Sequence, residues 1–142
     1  YKGSWVLHAL RWAIGDDAFF RSVRRMAYPD PALENVTDGS QVRFADTEDY
    51  IAIAEAAADA DLAWFFDVYL RQPNLPKLIT EQQGDALHLR WQVHGNGSFP
   101  MPVPIRVGEE IQRIEMADGA TTLALDGSDW KIDPHGWLLR DQ

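Results

Sequence analysis

The stretch Gln72-Pro73-Asn74-Leu75-Pro76 separates two halves of the chain in which apolar residues repeat with different periods. In the first half they recur about every three to four residues, as on the buried face of a helix. In the second half they alternate with polar residues, as in a strand with one buried face. Prolines interrupt both kinds of element, so the change falls in a connection. The sequence predicts an α+β fold, with a helical segment over residues 1–72 and an antiparallel β domain over residues 73–142.

The first two predicted helices are separated by a single glycine. The first covers residues 3–14 and stops at Gly15, because glycine favours helix C-termini. Asp16 is the predicted N-cap of the second helix, which ends before Pro29 and Pro31.

Two further helices follow a polar connection over residues 29–46. The third runs to Ala58 and the fourth to about Leu70. Their candidate N-caps are Asp46 or Thr47 for the third helix, and Asp59 or Asp61 for the fourth.

The second half carries the signals of an antiparallel sheet. Leu87, Leu89, Trp91 and Val93 alternate with polar residues, which predicts a strand with one buried face. Turn residues that tolerate positive φ follow at regular intervals. These are Gly95-Asn96-Gly97, Asp118-Gly119, Asp126-Gly127 and the predicted type I turn Asp133-Pro134-His135-Gly136. A short terminal strand is predicted around Trp137-Leu138-Leu139.

The segment Phe99–Val107 contains three prolines, Pro100, Pro102 and Pro104. Alternate residues of a strand direct their N–H groups to the same side, so these prolines remove donors from one edge only. The pattern therefore predicts an edge strand that cannot pair on that side.

Composition excludes several classes of partner. The formal charge of −9 disfavours binding to nucleic acid and to anionic membrane surfaces, and nothing approaches the ~20 apolar residues of a membrane helix. There is no cysteine, hence no disulfide framework and no thiolate metal site.

The first eleven residues, Tyr1-Lys2-Gly3-Ser4-Trp5-Val6-Leu7-His8-Ala9-Leu10-Arg11, begin without methionine and continue directly into a helix pattern. They resemble the Tyr-any-Lys-Gly helix start of the aminopeptidase N family of gluzincin metallopeptidases. In that family one residue separates the tyrosine from Lys-Gly, whereas Tyr1 precedes Lys2 directly. The resemblance therefore places the family's tyrosine, which donates a hydrogen bond to the oxyanion, immediately before Tyr1.

Further stretches resemble the family pattern, and their relative spacing matters more than any one of them. Those in the helical half are Ile14-Gly15-Asp16, Thr47-Glu48-Asp49-Tyr50, Glu55 and Asp61-Leu62-Ala63-Trp64-Phe65-Phe66. Those in the second half are Leu75-Pro76-Lys77-Leu78, Phe99 to Ile105 and Asp133-Pro134. The resemblance implies that residues 1–72 belong to a peptidase catalytic domain and residues 73–142 to a β-sandwich.

By this resemblance the parent protein is a zinc aminopeptidase that removes N-terminal residues from peptide substrates. Zinc hydrolysis needs two histidines one helical turn apart, a third ligand and a carboxylate base. No His-Glu-any-any-His sequence occurs here, so we expect the ligands upstream of this chain. The chain itself is expected to carry no catalytic, cofactor-binding or metal residue and to be inactive alone.

Individual candidates have a structural interpretation beside a functional one. His8 lies between Trp5 and Trp12, and packing against tryptophan is favoured over a role in a cleft. His88 and His94 share a strand face but lie about 20 Å apart, too far to share an ion, and His135 is expected in solvent. The acidic pairs Asp16-Asp17, Asp59-Asp61 and Glu109-Glu110 are interpreted as caps and turns rather than acid/base pairs. Glu55 projects from an amphipathic helix and could pair with an arginine, which the sequence does not identify. Trp64-Phe65-Phe66 is expected in the core.

A competing hypothesis is a non-enzymatic module that binds a peptide or protein, or a pseudo-peptidase that has lost its zinc ligands. An exposed pairing edge or an apolar groove would favour it. Under the peptidase hypothesis, helices taken from a larger lobe expose apolar surface, so self-association of the chain is also expected. Substrate preference and compartment stay open.

Overall fold

A computed structural model describes all 142 residues, which form four helices followed by two antiparallel sheets and confirm the α+β class. The helices are α1 (Lys2–Ile14), α2 (Asp16–Ala27), α3 (Thr47–Ala58) and α4 (Ala63–Leu70). The strands are β1 (Lys77–Gln83), β2 (Ala86–Gln92), β3 (Val103–Val107), β4 (Glu110–Ile114), β5 (Ala120–Ala124) and β6 (Trp130–Ile132). Short 3₁₀ turns occupy Pro31–Asn35 and Ala117–Gly119.

The chain forms two compact units. One comprises Tyr1–Ala13 and Trp64–Gln142, and the other comprises Ile14–Ala63. Helix α1 and nearly all of α4 thus belong with the sheets. The boundary predicted between residues 72 and 73 concerns domains of a parent protein and stays a prediction.

In the Ile14–Ala63 unit, helix termini depend on acidic side chains and left-handed residues. Gly15 (φ 83°) is the N-cap of α2, so the prediction that Asp16 is the cap is wrong. Asp46 caps α3 in a reciprocal capping box with Asp49. Asp59 (φ 50°) closes α3 in the left-handed region and does not cap α4.

The first sheet has the order β1-β2-β5 and confirms the alternation predicted for β2. Leu87, Leu89 and Trp91 are buried, whereas Arg90 and Gln92 are exposed. On the open face, Glu81 of β1 lies opposite His88 of β2, and His88 lies opposite Thr122 of β5. The indole of buried Trp91 donates a hydrogen bond at 2.8 Å to the carbonyl of Met101, which precedes β3.

The second sheet has the order β4-β3-β6, so the proline-containing strand is central and the prediction of an edge strand is wrong. Pro100 and Pro102 precede β3. The Pro104 carbonyl accepts a hydrogen bond from Asp133 N at 2.7 Å, so the side of Pro104 that lacks a donor faces β6. Pairing with β6 starts only at Ile105. On the other side of β3, the N–H groups that face β4 belong to Val103, Ile105 and Val107, none of which is a proline.

The terminal strand predicted around Trp137-Leu138-Leu139 is also absent. The Asp133 carboxylate accepts hydrogen bonds from the backbone N–H groups of Trp137 (2.7 Å) and Leu138 (2.9 Å). A turn from Asp133 to Gly136 is present as predicted. The side chain of Asp133 thus folds the chain back and occupies donors that a strand would use.

Candidate functional site

The most developed side-chain cluster outside the hydrophobic core joins α1 to Trp137. His8 lies flat on the Trp137 ring, with centroids 4.5 Å apart and planes inclined by 6°. Trp5 meets His8 edge-on at 5.8 Å, and Trp12 contacts Trp137 at 5.9 Å. Residues 5, 8 and 12 fall on one helix face because they are three and four apart. Helical spacing therefore aligns the three rings, and the fold adds the fourth.

Two arginines approach this aromatic cluster. The Arg11 guanidinium lies 5.6 Å from the Trp137 centroid, and that of Arg113 lies 5.0 Å from the Trp12 centroid. Both distances are within the range of cation–π attraction. Arg113 also donates hydrogen bonds to the backbone carbonyls of Trp12 and Ala13 and to the Glu115 carboxylate. Arg113 thereby satisfies carbonyls at the end of α1 that have no helical partner.

Backbone contacts fix both tryptophans. The Trp12 indole N–H donates to the Pro102 carbonyl at 2.8 Å, just before β3. The backbone N–H of Trp137 donates a hydrogen bond to the Asp133 carboxylate. The first bond orients the Trp12 ring, and the second fixes the main chain that carries the Trp137 ring.

The histidine of this cluster is in contact with aromatic rings. His8 contacts indole rings on both sides, and no hydrogen bond to a carboxylate that would make it a general base is found. Nowhere in the chain do three or more His, Cys, Asp or Glu side chains come together in a geometry suited to a metal ion. The contacts of His8 agree with its interpretation as a packing residue, although its main partner is Trp137.

The remaining histidines are separate from one another. The His88 imidazole Nδ1 lies 2.9 Å from the Thr122 hydroxyl on β5. His94 lines an open cavity of about 580 Å³ with Lys77, Gln92 and Asp141. His135 is exposed, as expected.

Most of the acidic residues singled out from the sequence lie at helix ends and turns. Asp16 and Asp17 begin α2, where a negative charge is favoured by the helix dipole. Asp61 accepts a hydrogen bond from Ala63 N at 2.8 Å, at the start of α4. Glu109 and Glu110 are exposed at the turn between β3 and β4. Asp16 and Asp17 also line an open groove along α2 together with Tyr28.

Glu55 has a partner that the sequence does not reveal. Its Oε1 accepts a hydrogen bond from the backbone N–H of Leu62 at 3.0 Å. Leu62 is buried, so this carboxylate satisfies a donor that water cannot reach. Glu55 therefore fixes the connection between α3 and α4.

The aromatic run at the start of α4 is core for Phe65 and Phe66, as predicted, whereas Trp64 is half-buried. Phe65 and Phe66 are buried, and Trp64 meets Phe99 edge-on at 5.5 Å. Phe99 also contacts Tyr69 and Trp91. The rings face different neighbours and form no shared platform.

The sequence analysis did not identify two side chains, Asp85 and Arg113, that organise the unit containing the two sheets. Asp85 accepts hydrogen bonds from Asp126 N and Gly127 N and thereby ties the β1–β2 turn to the turn after β5. Arg113 was not singled out at all. An aspartate beside glycine is a recognisable turn signal, but the distant turn that it binds is visible only in the fold.

None of the helices combines the length and apolar character needed to cross a membrane. In comparisons with known proteins, no family model matches the chain and no curated protein matches it significantly.

Proposed function

We propose that this chain is the C-terminal portion of a zinc-dependent aminopeptidase that removes N-terminal residues from peptides. The observation that carries the proposal is the common register of the family-like stretches from Lys2-Gly3 through Asp61 to Phe66. A single short motif is weak evidence, whereas several with fixed intervals are harder to obtain by chance.

The roles of these residues support the proposal. Asp49 completes the capping box of α3, Glu55 binds Leu62 N, and Phe65 and Phe66 are buried at 0% and 2% exposure. Each acts on a helix end, a helix connection or the core. These are the places where a shared fold restricts residue choice most strongly.

In this proposal the chain supports the catalytic residues and does not supply them. When bound, zinc would polarise a water molecule for attack on the peptide carbonyl. The proposal places its ligands, the carboxylate base and the oxyanion-binding tyrosine upstream of Tyr1. The isolated chain is accordingly expected to lack peptidase activity, and stoichiometric zinc or turnover in it would contradict the proposal.

The first test is the coding sequence upstream of the Tyr1 codon. A tyrosine codon immediately before Tyr1, with His-Glu-any-any-His and a later glutamate further upstream, is the expected result. The full-length protein should then hydrolyse an aminoacyl-p-nitroanilide, lose that activity on chelation and regain it with zinc. An upstream sequence without these residues would refute the proposal that the parent protein is an aminopeptidase.

The competing function is a non-enzymatic interaction module, or a pseudo-peptidase. One observation favours it, namely that β5 is an exposed edge strand. An upstream sequence without zinc ligands would make this the better account.

A further inference from the structure

The four edge strands differ in how they are protected against pairing with another chain. Charged side chains, short length and covering segments are the usual protections. β1 contains Lys77 and Glu81 and forms a bridge to Asp141, β4 contains Glu110 and Arg113, and β6 has only three residues. β5, Ala120-Thr121-Thr122-Leu123-Ala124, contains no charge and no proline. β5 is therefore the least protected edge.

The outward side of β5 carries free backbone groups. Leu125 N donates to Asp85 O at 2.9 Å, so residues 121, 123 and 125 face β2 and residues 120, 122 and 124 face outward. Ala120, Thr122 and Ala124 are exposed. Only the Ala120 N–H is occupied, by the Ala117 carbonyl. The N–H groups of Thr122 and Ala124 and three carbonyls are left open to a partner.

We propose that β5 binds an extended, positively charged peptide segment, which adds to the β1-β2-β5 sheet as a fourth strand. Main-chain hydrogen bonds to Thr122 and Ala124 would provide the affinity, as in other strand-addition complexes. This inference rests on the sheet edge and holds whether or not the parent protein is a peptidase.

The charge of the occupant follows from the residues at both ends of β5. Asp118 and Asp126 are exposed and flank the uncharged strand. A segment with lysine or arginine at both ends matches them in either strand direction, and the formal charge of −9 attracts the same ligand.

A second copy of the chain fits this edge less well. Two-fold antiparallel pairing centred on Thr122 would place each Asp118 opposite Asp126 of the other copy. Like charges directly opposite one another destabilise a strand pair. The same aspartates that favour a basic peptide therefore disfavour self-pairing.

The open face beside β5 can receive one side chain of the added strand. Thr122 is held by its contact with His88. The groove of about 420 Å³ next to it is lined by the apolar Ile79 and Ala120 and by one charge of each sign, Glu81 and Arg90. A residue opposite Thr122 would point to this face because paired residues share a side of the sheet.

The probe is a fluorescent peptide of alternating valine and threonine with lysine pairs at both ends, titrated into the chain and followed by anisotropy. Two control peptides test the two parts of the proposal: one with N-methylation on alternate residues, the other with glutamate in place of lysine. We expect the probe to bind and each control to bind at least about tenfold more weakly.

Substitutions in and beside β5 test whether this strand is the binding site. Thr122→Pro removes an outward N–H that β2 does not use and should weaken binding by about tenfold. Thr122→Val keeps that N–H and should bind like the original chain. Asp118→Asn with Asp126→Asn keeps residues that tolerate the left-handed region (φ 53° and 50°) and should weaken binding by about fivefold at low salt.

Three results would overturn the proposal. The first is that the lysine probe does not bind, or that its N-methylated form binds equally well. This result is obtained on the original folded chain, so a folding defect of a variant cannot cause it. The second is unchanged affinity in the double asparagine variant. The third is a dimer in sedimentation that Thr122→Pro abolishes, which would make a second copy the occupant.

Discussion

Arg113 connects β4 to the end of α1 through one guanidinium group. It donates to the carbonyls of Trp12 and Ala13, pairs with Glu115 and covers the Trp12 ring. Planar geometry with several donors allows arginine to make these contacts together, whereas a lysine ammonium makes point contacts.

Replacing Arg113 with methionine should lower the free energy of unfolding by about 1–2 kcal/mol. The apolar stem is kept, so the loss reports the hydrogen bonds and the ring contact. Urea denaturation measures the effect. Arg90→Met, at an exposed position on the open face of β2, is the control and should change stability by less than about 0.5 kcal/mol. Equal losses would show that the contacts of Arg113 contribute nothing.

Tyr69 makes stability depend on alkaline pH. Burial raises the pKa of its phenol, and the nearby Asp133 carboxylate raises it further. The native state therefore keeps a proton that the unfolded state releases above about pH 10. Stability should be fully present below that pH and fall as pH rises above it.

Tyr69→Phe tests this pH dependence. The variant loses the hydrogen bond to the Leu139 carbonyl, so it should be less stable at neutral pH by about 1 kcal/mol. The stability of the variant should fall less steeply above pH 10 than that of the original chain. Some decline should remain, because burial also raises the pKa of Tyr50. Urea denaturation across the alkaline range measures both effects. An unchanged alkaline slope would contradict the role of Tyr69.

At the scale of elements, the start of β5 depends on a close approach of two backbones. Gly119 has φ 81°, and a Cβ built there would lie 3.3 Å from the Phe99 carbonyl oxygen. Gly127 has a similar φ of 73° but open space around it. Both glycines therefore adopt a positive φ, but only Gly119 lies against another backbone segment, that of Phe99.

Gly127→Ala should cost about 1 kcal/mol through its left-handed backbone alone. Gly119→Ala should cost at least about 1 kcal/mol more, because buried Phe99 cannot move away freely. Thermal unfolding of both variants gives the difference. Equal losses would mean that the contact with Phe99 is relaxed without cost.

At the scale of the whole molecule, large apolar side chains remain exposed in the Ile14–Ala63 unit. Phe44 is fully exposed and Phe20 is 54% exposed. Exposed apolar groups of this size favour association, which is why self-association of the chain is proposed.

The double variant Phe20→Ser with Phe44→Ser should shift the chain toward monomer at concentrations where the original chain associates. Phe20→Leu with Phe44→Leu keeps apolar side chains and is the matched control. Sedimentation velocity over a concentration series measures the distribution. A chain that is strictly monomeric without any substitution would refute the expectation.

Local pattern was sufficient to predict four helices with bounds close to those observed, because caps and three-to-four spacing act within a few residues. The buried face of β2 followed from strict alternation for the same reason. Of the candidate site, the alignment of Trp5, His8 and Trp12 on one helix face was accessible in this way. The stacking of His8 on Trp137 was not, since sequence spacing does not say which distant loop approaches a helix.

The sequence by itself therefore determined the class of the fold, the approximate helix bounds and the alternation of β2, all of which depend on neighbouring residues. Only the tertiary structure decided that β3 is central, that Asp133 replaces a terminal strand with a turn, and that β5 has an open edge. Each of these depends on which remote segment provides a hydrogen-bond partner. A backbone donor is satisfied by whatever lies beside it in space, and the order of residues does not fix that neighbour.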